Sequence, residues 1–158
     1  MKLEICEMTA KTANDAAAIE KECFSSPWPA ESFLKILSNK SAACFVARMN
    51  SRTVGYISMY DLVDEVSIIN VAAHPDFRRQ GIAKALMLRA EEFAETRACK
   101  QITLEVRRSN AAAAFFVVKS KMSEKDRDKN TKQKGVSASE NVCNSLQKGG
   151  GFRSNKRY

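Results

Sequence analysis

Apolar and polar positions along this chain alternate with two different periods. From Thr12 to Phe24 ("TANDAAAIEKECF"), Ala16, Ile19 and Cys23 share one helical face, and Thr12 or Asn14 can cap the helix. In "SSPWPAESFLKIL", Pro27 breaks the chain and Pro29 suits a first helical position. Phe33, Leu34 and Leu37 then predict the buried face of a second helix. "AACFVARM" and "TVGYISMYDL" read as two strands joined through "NSR" as a hairpin.

The next stretch changes character. "VSIINVAA" (Val66 to Ala73) is almost wholly apolar, as expected of a strand covered on both faces. After "HPDFRRQG", Ile82, Leu86, Ala90 and Phe93 form a helical stripe. "QITLEV" (Gln101 to Val106) is a further strand. Strand, helix and strand at this spacing predict a right-handed βαβ crossover, which makes the two strands parallel. "SNAAAAFFVVK" predicts another helix, with Ser109 or Asn110 as its cap. The class is therefore α/β (α+β), a mixed sheet flanked by helices, with one core over residues 1–118.

From Lys119 onward large apolar residues are few, no period is visible, and "GGG" interrupts the chain. Residues 119–158 read as a basic tail, disordered or weakly ordered. The formal charge of +8 belongs there: the tail holds 11 basic and 4 acidic residues, the remainder 15 and 14. A polyanion such as RNA could meet that tail. The near absence of aromatic residues for base stacking favours a solvated tail without nucleic-acid contact. No run of 18 apolar residues suggests a membrane span, and "MKLEICEMTAK" lacks a signal-peptide core. The five cysteines (Cys6, Cys23, Cys44, Cys99, Cys143) are scattered, and His74 is the only histidine. These features predict free thiols in a cytoplasmic protein and no metal site.

The candidate chemistry lies in "HPDFRRQGIAKAL". A helix N-terminus presents unpaired N–H groups and partial positive charge. Gly81 lets a ligand approach the backbone, and Arg78, Arg79 and Lys84 add full charges. The segment leaves the C-terminal end of a buried strand, where open α/β sheets bind ligands. A pyrophosphate suits all of this. Neither the P-loop spacing nor the three-glycine dinucleotide fingerprint is present.

"RRQGIA", with "NVAAHPDF" before it, resembles motif A of the GNAT acetyltransferases, R/Q-x-x-G-x-G/A. Ala83 stands where a second glycine is commoner, which the motif allows. "AAAIEKECFSSPWPAESF", "DEVSIINVAAHPDFRRQGIAKALM" and "LEVRRSNAAA" extend the resemblance from about Met1 to Ala114. They point to the RimI-like subfamily, which acetylates the N-terminal alanine of a small-subunit ribosomal protein.

The resemblance implies a GNAT fold with splayed parallel strands and acetyl-CoA as acetyl donor. Val71, Ala72 and Ala73 would lie beside the pantetheine arm. Arg79, Gln80, Gly81, Ile82, Ala83 and Lys84 would wrap the pyrophosphate, and Asn110 would contact the donor from the next helix. The acceptor would be a protein N-terminus, and Trp28 would help shape its groove as well as anchor the first two helices. Lysine or small-amine acetylation, or donor binding without catalysis, are the alternative activities.

Glu105 is the candidate general base. A carboxylate among apolar neighbours is pushed towards neutral pKa, whereas an exposed position on an alternating strand is not. Both readings fit "TLEVR" by itself; the match to the family's "LEVR" favours the base. The family continues "SNxxAxxLYxKxGF", whose tyrosine is the general acid. Val117 occupies that place here, and Lys121-Met122 stand at the Gly-Phe. "GGGFRSNKRY" resembles the missing strand start after an insertion; a diverged or frame-shifted tail is the alternative.

Overall fold

The computed structural model describes residues 2–106 and 152–153, with the backbone alone for residues 105, 106, 152 and 153. The first compact unit ends at Leu104. Its chain order is β1 (Leu3–Glu7), α1 (Ala10–Cys23), α2 (Ala30–Leu37), β2 (Ala42–Met49), β3 (Arg52–Leu62), β4 (Glu65–Ala73), a 3-10 turn (Pro75–Phe77), α3 (Ile82–Thr96) and β5 (Gln101–Val106), which runs into the second unit. β1 to β4 form an antiparallel meander, and β5 joins β4 in parallel. In the second unit, Glu105 and Val106 pair antiparallel with Arg153 and Phe152 of β6 (Phe152–Arg153).

The βαβ crossover is where the apolar periods place it. The β2–β3 turn is Asn50-Ser51, both left-handed at φ 50° and 65°, which matches a tight hairpin's twist. Leu3–Glu7 is a strand that the hydrophobic pattern does not announce. It lies at the sheet edge with Leu3, Ile5 and Cys6 only half-buried, so its alternation is faint.

Two helix details differ from expectation. α1 starts earlier, because Thr9 and Thr12 form a reciprocal capping box; Thr12 is the inner partner rather than the cap. In α2, Pro29 is the N-cap, and Phe33 and Ile36 are the buried pair. Leu34 is 42% exposed, since the i, i+3 stripe through Ile36 faces the sheet.

The helices cover opposite faces of the sheet. Cys44, Val46, Tyr56 and Ala72 pack with Ala13, Ala16 and Ile19 of α1 and with Phe33 of α2. The alternate residues of the same strands turn the other way, and Phe45 meets Phe93 of α3 at 6.1 Å between ring centroids. α3 buries Ile82, Leu86, Met87, Ala90 and Ala94.

β4 carries a bulge. Ser58 pairs with Asn70 and Met59 with Ile68, leaving Ile69 as the extra residue. Ile69 packs against the α1 cluster, and Asn70 also reaches α1. Strict alternation would have put Asn70 on the face of Ile68; the bulge moves it to the other side. The parallel register with β5 ends beside it, at Ile68↔Leu104, while β4 continues to Ala73. The helix expected from Ser109 or Asn110, and nearly all of the expected tail, lie outside the described residues.

Candidate functional site

β4 delivers the chain to a tightly wound loop. His74 Nδ1 accepts from Asp76 N at 3.2 Å and caps the 3-10 turn. Arg78 then reaches back to α1, its guanidinium 3.8 Å from Cys23 Sγ. The Cys23 thiol in turn donates to the Ala73 carbonyl at 3.4 Å, which ties the end of α1 to the end of β4. Burial pushes the Cys23 pKa up, and Arg78 opposes part of that shift.

Arg79 has φ 63° and Gly81 has φ 80°. Glycine adopts that conformation at no steric cost; arginine does so with strain. A non-glycine residue held there beside a helix start is characteristic of anion-binding loops. Gly81 is the N-cap of α3, and Ala85 N closes the first turn onto Gly81 O at 2.9 Å. No side chain caps this helix and its first turn holds no acid. Its leading N–H groups therefore offer an anion site, with the exposed Arg79, Gln80 and Lys84 around it. Ile82 is buried beneath, so its contribution to such a site is its backbone.

The seat of α3 is set by Gly55. A Cβ there would stand 2.7 Å from Ile82 Cγ2 and 2.9 Å from Ala72 O. The missing side chain lets the start of α3 sit down on β3 and β4 beside Val71, Ala72 and Ala73. All three residues keep β3 partners: Val71 with Ile57, Ala72 with Tyr56, and Ala73 with Gly55.

On the other face lies a polar cluster that sequence reasoning missed. Glu20 is wholly buried in α1. Its Oε2 accepts from Trp28 N at 2.8 Å. Its Oε1 accepts from Tyr56 Oη and from Asn70 Nδ2, the latter at 2.5 Å. Asn70 Nδ2 also lies 2.6 Å from Tyr56 Oη. An aromatic line reinforces this: Trp28 to Phe33 at 5.7 Å and Phe33 to Tyr56 at 5.0 Å. The available signals were Glu20 on the stripe Ala13, Ala16, Ala17, and Asn70 inside an apolar strand.

A groove between α1 and the β2–β3 turn is lined by Lys11, Asp15, Arg48, Arg52 and Thr53 among others, but by none of Arg78 to Lys84. Its charges are interleaved, and Thr53 already donates to Asp15 Oδ2 at 2.8 Å. The open end of α3 is the better anion site. Among the described residues, no three His, Cys, Asp or Glu side chains cluster to hold a metal ion, and no helix is long and apolar enough to cross a membrane.

The loop, the end of β4 and the α1–α2 connection with Trp28 thus belong to one compact unit. Glu105 lies in β5, opposite Arg153 in register. Asn110 lies outside the described residues.

The sequence model of the acetyltransferase (GNAT) family matches residues 13–119. A Bacillus subtilis (strain 168) protein with the provisional name ribosomal protein bS18-alanine N-acetyltransferase is 29% identical over 113 residues, 71% of this chain and 75% of that one. The ribosomal protein bS18-alanine N-acetyltransferase of Escherichia coli (strain K12) is 30% identical over 95 residues, 60% of this chain and 64% of that enzyme's length. The crystal structure of the ribosomal-protein-S18-alanine N-acetyltransferase from Escherichia coli superposes with a TM-score of 0.64 at 28% identity, covering 71% of this chain and 72% of that one.

Proposed function

The chain belongs to the GNAT acetyltransferase family, and from that premise we propose that it transfers the acetyl group of acetyl-CoA to the α-amino group of a protein N-terminus, with an N-terminal alanine of a ribosomal protein as acceptor. The relatives named for that reaction support the acceptor. The observation that carries the donor is the uncapped start of α3, with Arg79 and Gly81 both left-handed in front of it. The residues fit a pyrophosphate: backbone donors, a partial positive charge and flexible cations meet at the end of β4. In this reading Arg79 to Lys84 hold the phosphates. The backbone of Val71, Ala72 and Ala73 lies along the pantetheine amides, and Asn110 adds a contact from the following segment.

The chemistry needs a neutral amine. An α-amino group has a pKa of about 7.7–8.0, so a weak base suffices, directly or through one water. Glu105 is that base. The neutral nitrogen attacks the thioester carbonyl, and a backbone N–H of β4 at the Ile69 bulge can donate to the oxyanion. Collapse breaks the C–S bond. The proton taken from the amine balances the departing thiolate, whose conjugate acid has a pKa of about 8.5. Trp28 lies on the acceptor side, on the segment between α1 and α2.

Calorimetry with acetyl-CoA on the full chain tests the donor half. Saturable binding is expected, weakened at least tenfold by Arg79→Glu or Gly81→Trp. Folded protein that binds no acetyl-CoA would overturn the proposal.

A further inference from the structure

One buried carboxylate joins the acceptor side of the molecule to the strand that carries the donor. Glu20 Oε2 holds the backbone N–H of Trp28 at 2.8 Å, and Glu20 Oε1 holds Asn70 Nδ2 at 2.5 Å as well as the Tyr56 hydroxyl. Asn70 sits between the bulge residue Ile69 and Val71, where the β4–β5 register has just ended. Trp28 is in the connection between α1 and α2, and the Glu20 carboxylate, itself on α1, links its backbone to Asn70 of β4.

We propose that Glu20 is a positioning residue for the acceptor, clasping the Trp28 segment to the β4 bulge so that the incoming amine meets the thioester at a fixed distance. The inference rests on the reaction proposed above. Three physical points carry it. A fully buried carboxylate is costly unless its oxygens are hydrogen-bonded, and these bonds come from the α1–α2 connection, β3 and β4. The bulge exists at the one place that turns Asn70 towards Glu20. A wall that positions a substrate supplies part of its ordering before reaction, so an acceptor-groove wall freed to move weakens peptide binding while leaving the donor site in place.

A Gln side chain at position 20 keeps the volume but has only one accepting oxygen. Trp28 N and Asn70 Nδ2 sit on different oxygens of the carboxylate, so the amide nitrogen faces one of these two donors and that bond is lost. Tyr56→Phe removes a hydroxyl and leaves the Trp28 arm in place. The two variants therefore separate clasping from general destabilisation.

Trp28 is the only tryptophan of the chain, so its fluorescence reports the clasp without reference to catalysis. For Glu20→Gln, acrylamide quenching of Trp28 should rise at least twofold. The KM for an alanine-starting peptide should rise at least tenfold, with the KM for acetyl-CoA changed less than threefold. Tyr56→Phe should lower the melting temperature but leave quenching and peptide KM within about twofold. Should Glu20→Gln fail to fold, Glu20→Asp keeps the charge, shortens the arm by one methylene and should raise peptide KM in the same way. Unchanged quenching and peptide KM in the Glu20 variants, or equal changes in Tyr56→Phe, would overturn the inference. If the parent protein transfers no acetyl group while the quenching behaves as described, the assigned reaction fails and the clasp stands as a structural tie only.

Discussion

Gly55 lies directly under Ile82, and a Cβ on Gly55 would come within 2.7 Å of the Ile82 side chain. The first residue of α3 thus rests on bare backbone of β3. Gly55→Ala forces α3 away from the sheet and should destabilise the fold by about 1–3 kcal/mol, as overpacking does. It should also weaken acetyl-CoA binding several-fold, because the proposed phosphate site is the displaced end of α3. Thermal denaturation and calorimetry on the same sample measure both. A stable variant with parental affinity would show that α3 is not seated as described.

Arg79 combines an exposed charge with a left-handed backbone, and substitutions separate the two. Arg79→Gly relieves the strain and should leave stability equal or higher, by up to about 1 kcal/mol. It should nonetheless weaken acetyl-CoA binding about tenfold, the order expected for a lost charge-assisted hydrogen bond. The loss should shrink as salt is raised, since screening weakens the parental interaction first. Calorimetry at two salt concentrations reads this directly.

The thiols make an alkaline prediction. Burial raises the pKa of Cys23, Cys44 and Cys99 above the ordinary 9.0. Above that value the folded state keeps protons that the unfolded chain has released. Their contribution is therefore present in full below pH 9 and is lost as pH rises through the higher folded-state values. Denaturant titrations from about pH 9 to about pH 10.5 should show falling stability, with a shallower fall in the Cys23→Ala, Cys44→Ala double variant. Parallel curves for the two proteins would mean these thiols titrate normally.

The fold was legible where burial is two-sided or the period is clean. Ala42–Met49 and Gln101–Val106 are strands with the bounds their residues suggest. The loop "FRRQGIA" also reads correctly as a helix start after a buried strand, because glycine and charge concentrate there without competing signals. Leu3–Glu7 stayed hidden because an edge strand buries too little to enforce alternation. Leu34 looked buried because apolar character alone does not fix the phase of an eight-residue helix. Within the site, Glu20 and Asn70 were invisible for a different reason. Their meaning depends on contacts 50 residues apart and on a bulge that reverses the strand's facing. Gly55 could have been noticed as a lone glycine inside a strand, which often marks a close approach.

Glu105→Gln tests the proposed base. The expected result is a kcat reduced about 10²–10⁴-fold, with acetyl-CoA affinity within about threefold of the parent. The loss should diminish as pH rises past the amine's own pKa of about 8, where the acceptor needs no base. A pH–rate profile on parent and variant checks this, and a constant ratio across pH would argue for a structural role instead.

The most direct measurement compares two peptides with one alanine-starting sequence, one with a free N-terminus and one with it blocked, each containing a lysine. Thiol release from acetyl-CoA is followed and the products are weighed by mass spectrometry. The proposed reaction predicts saturable release with the free peptide only, and one acetyl group on its α-amine. Equal release with the blocked peptide, or acetylation at the lysine, would contradict it.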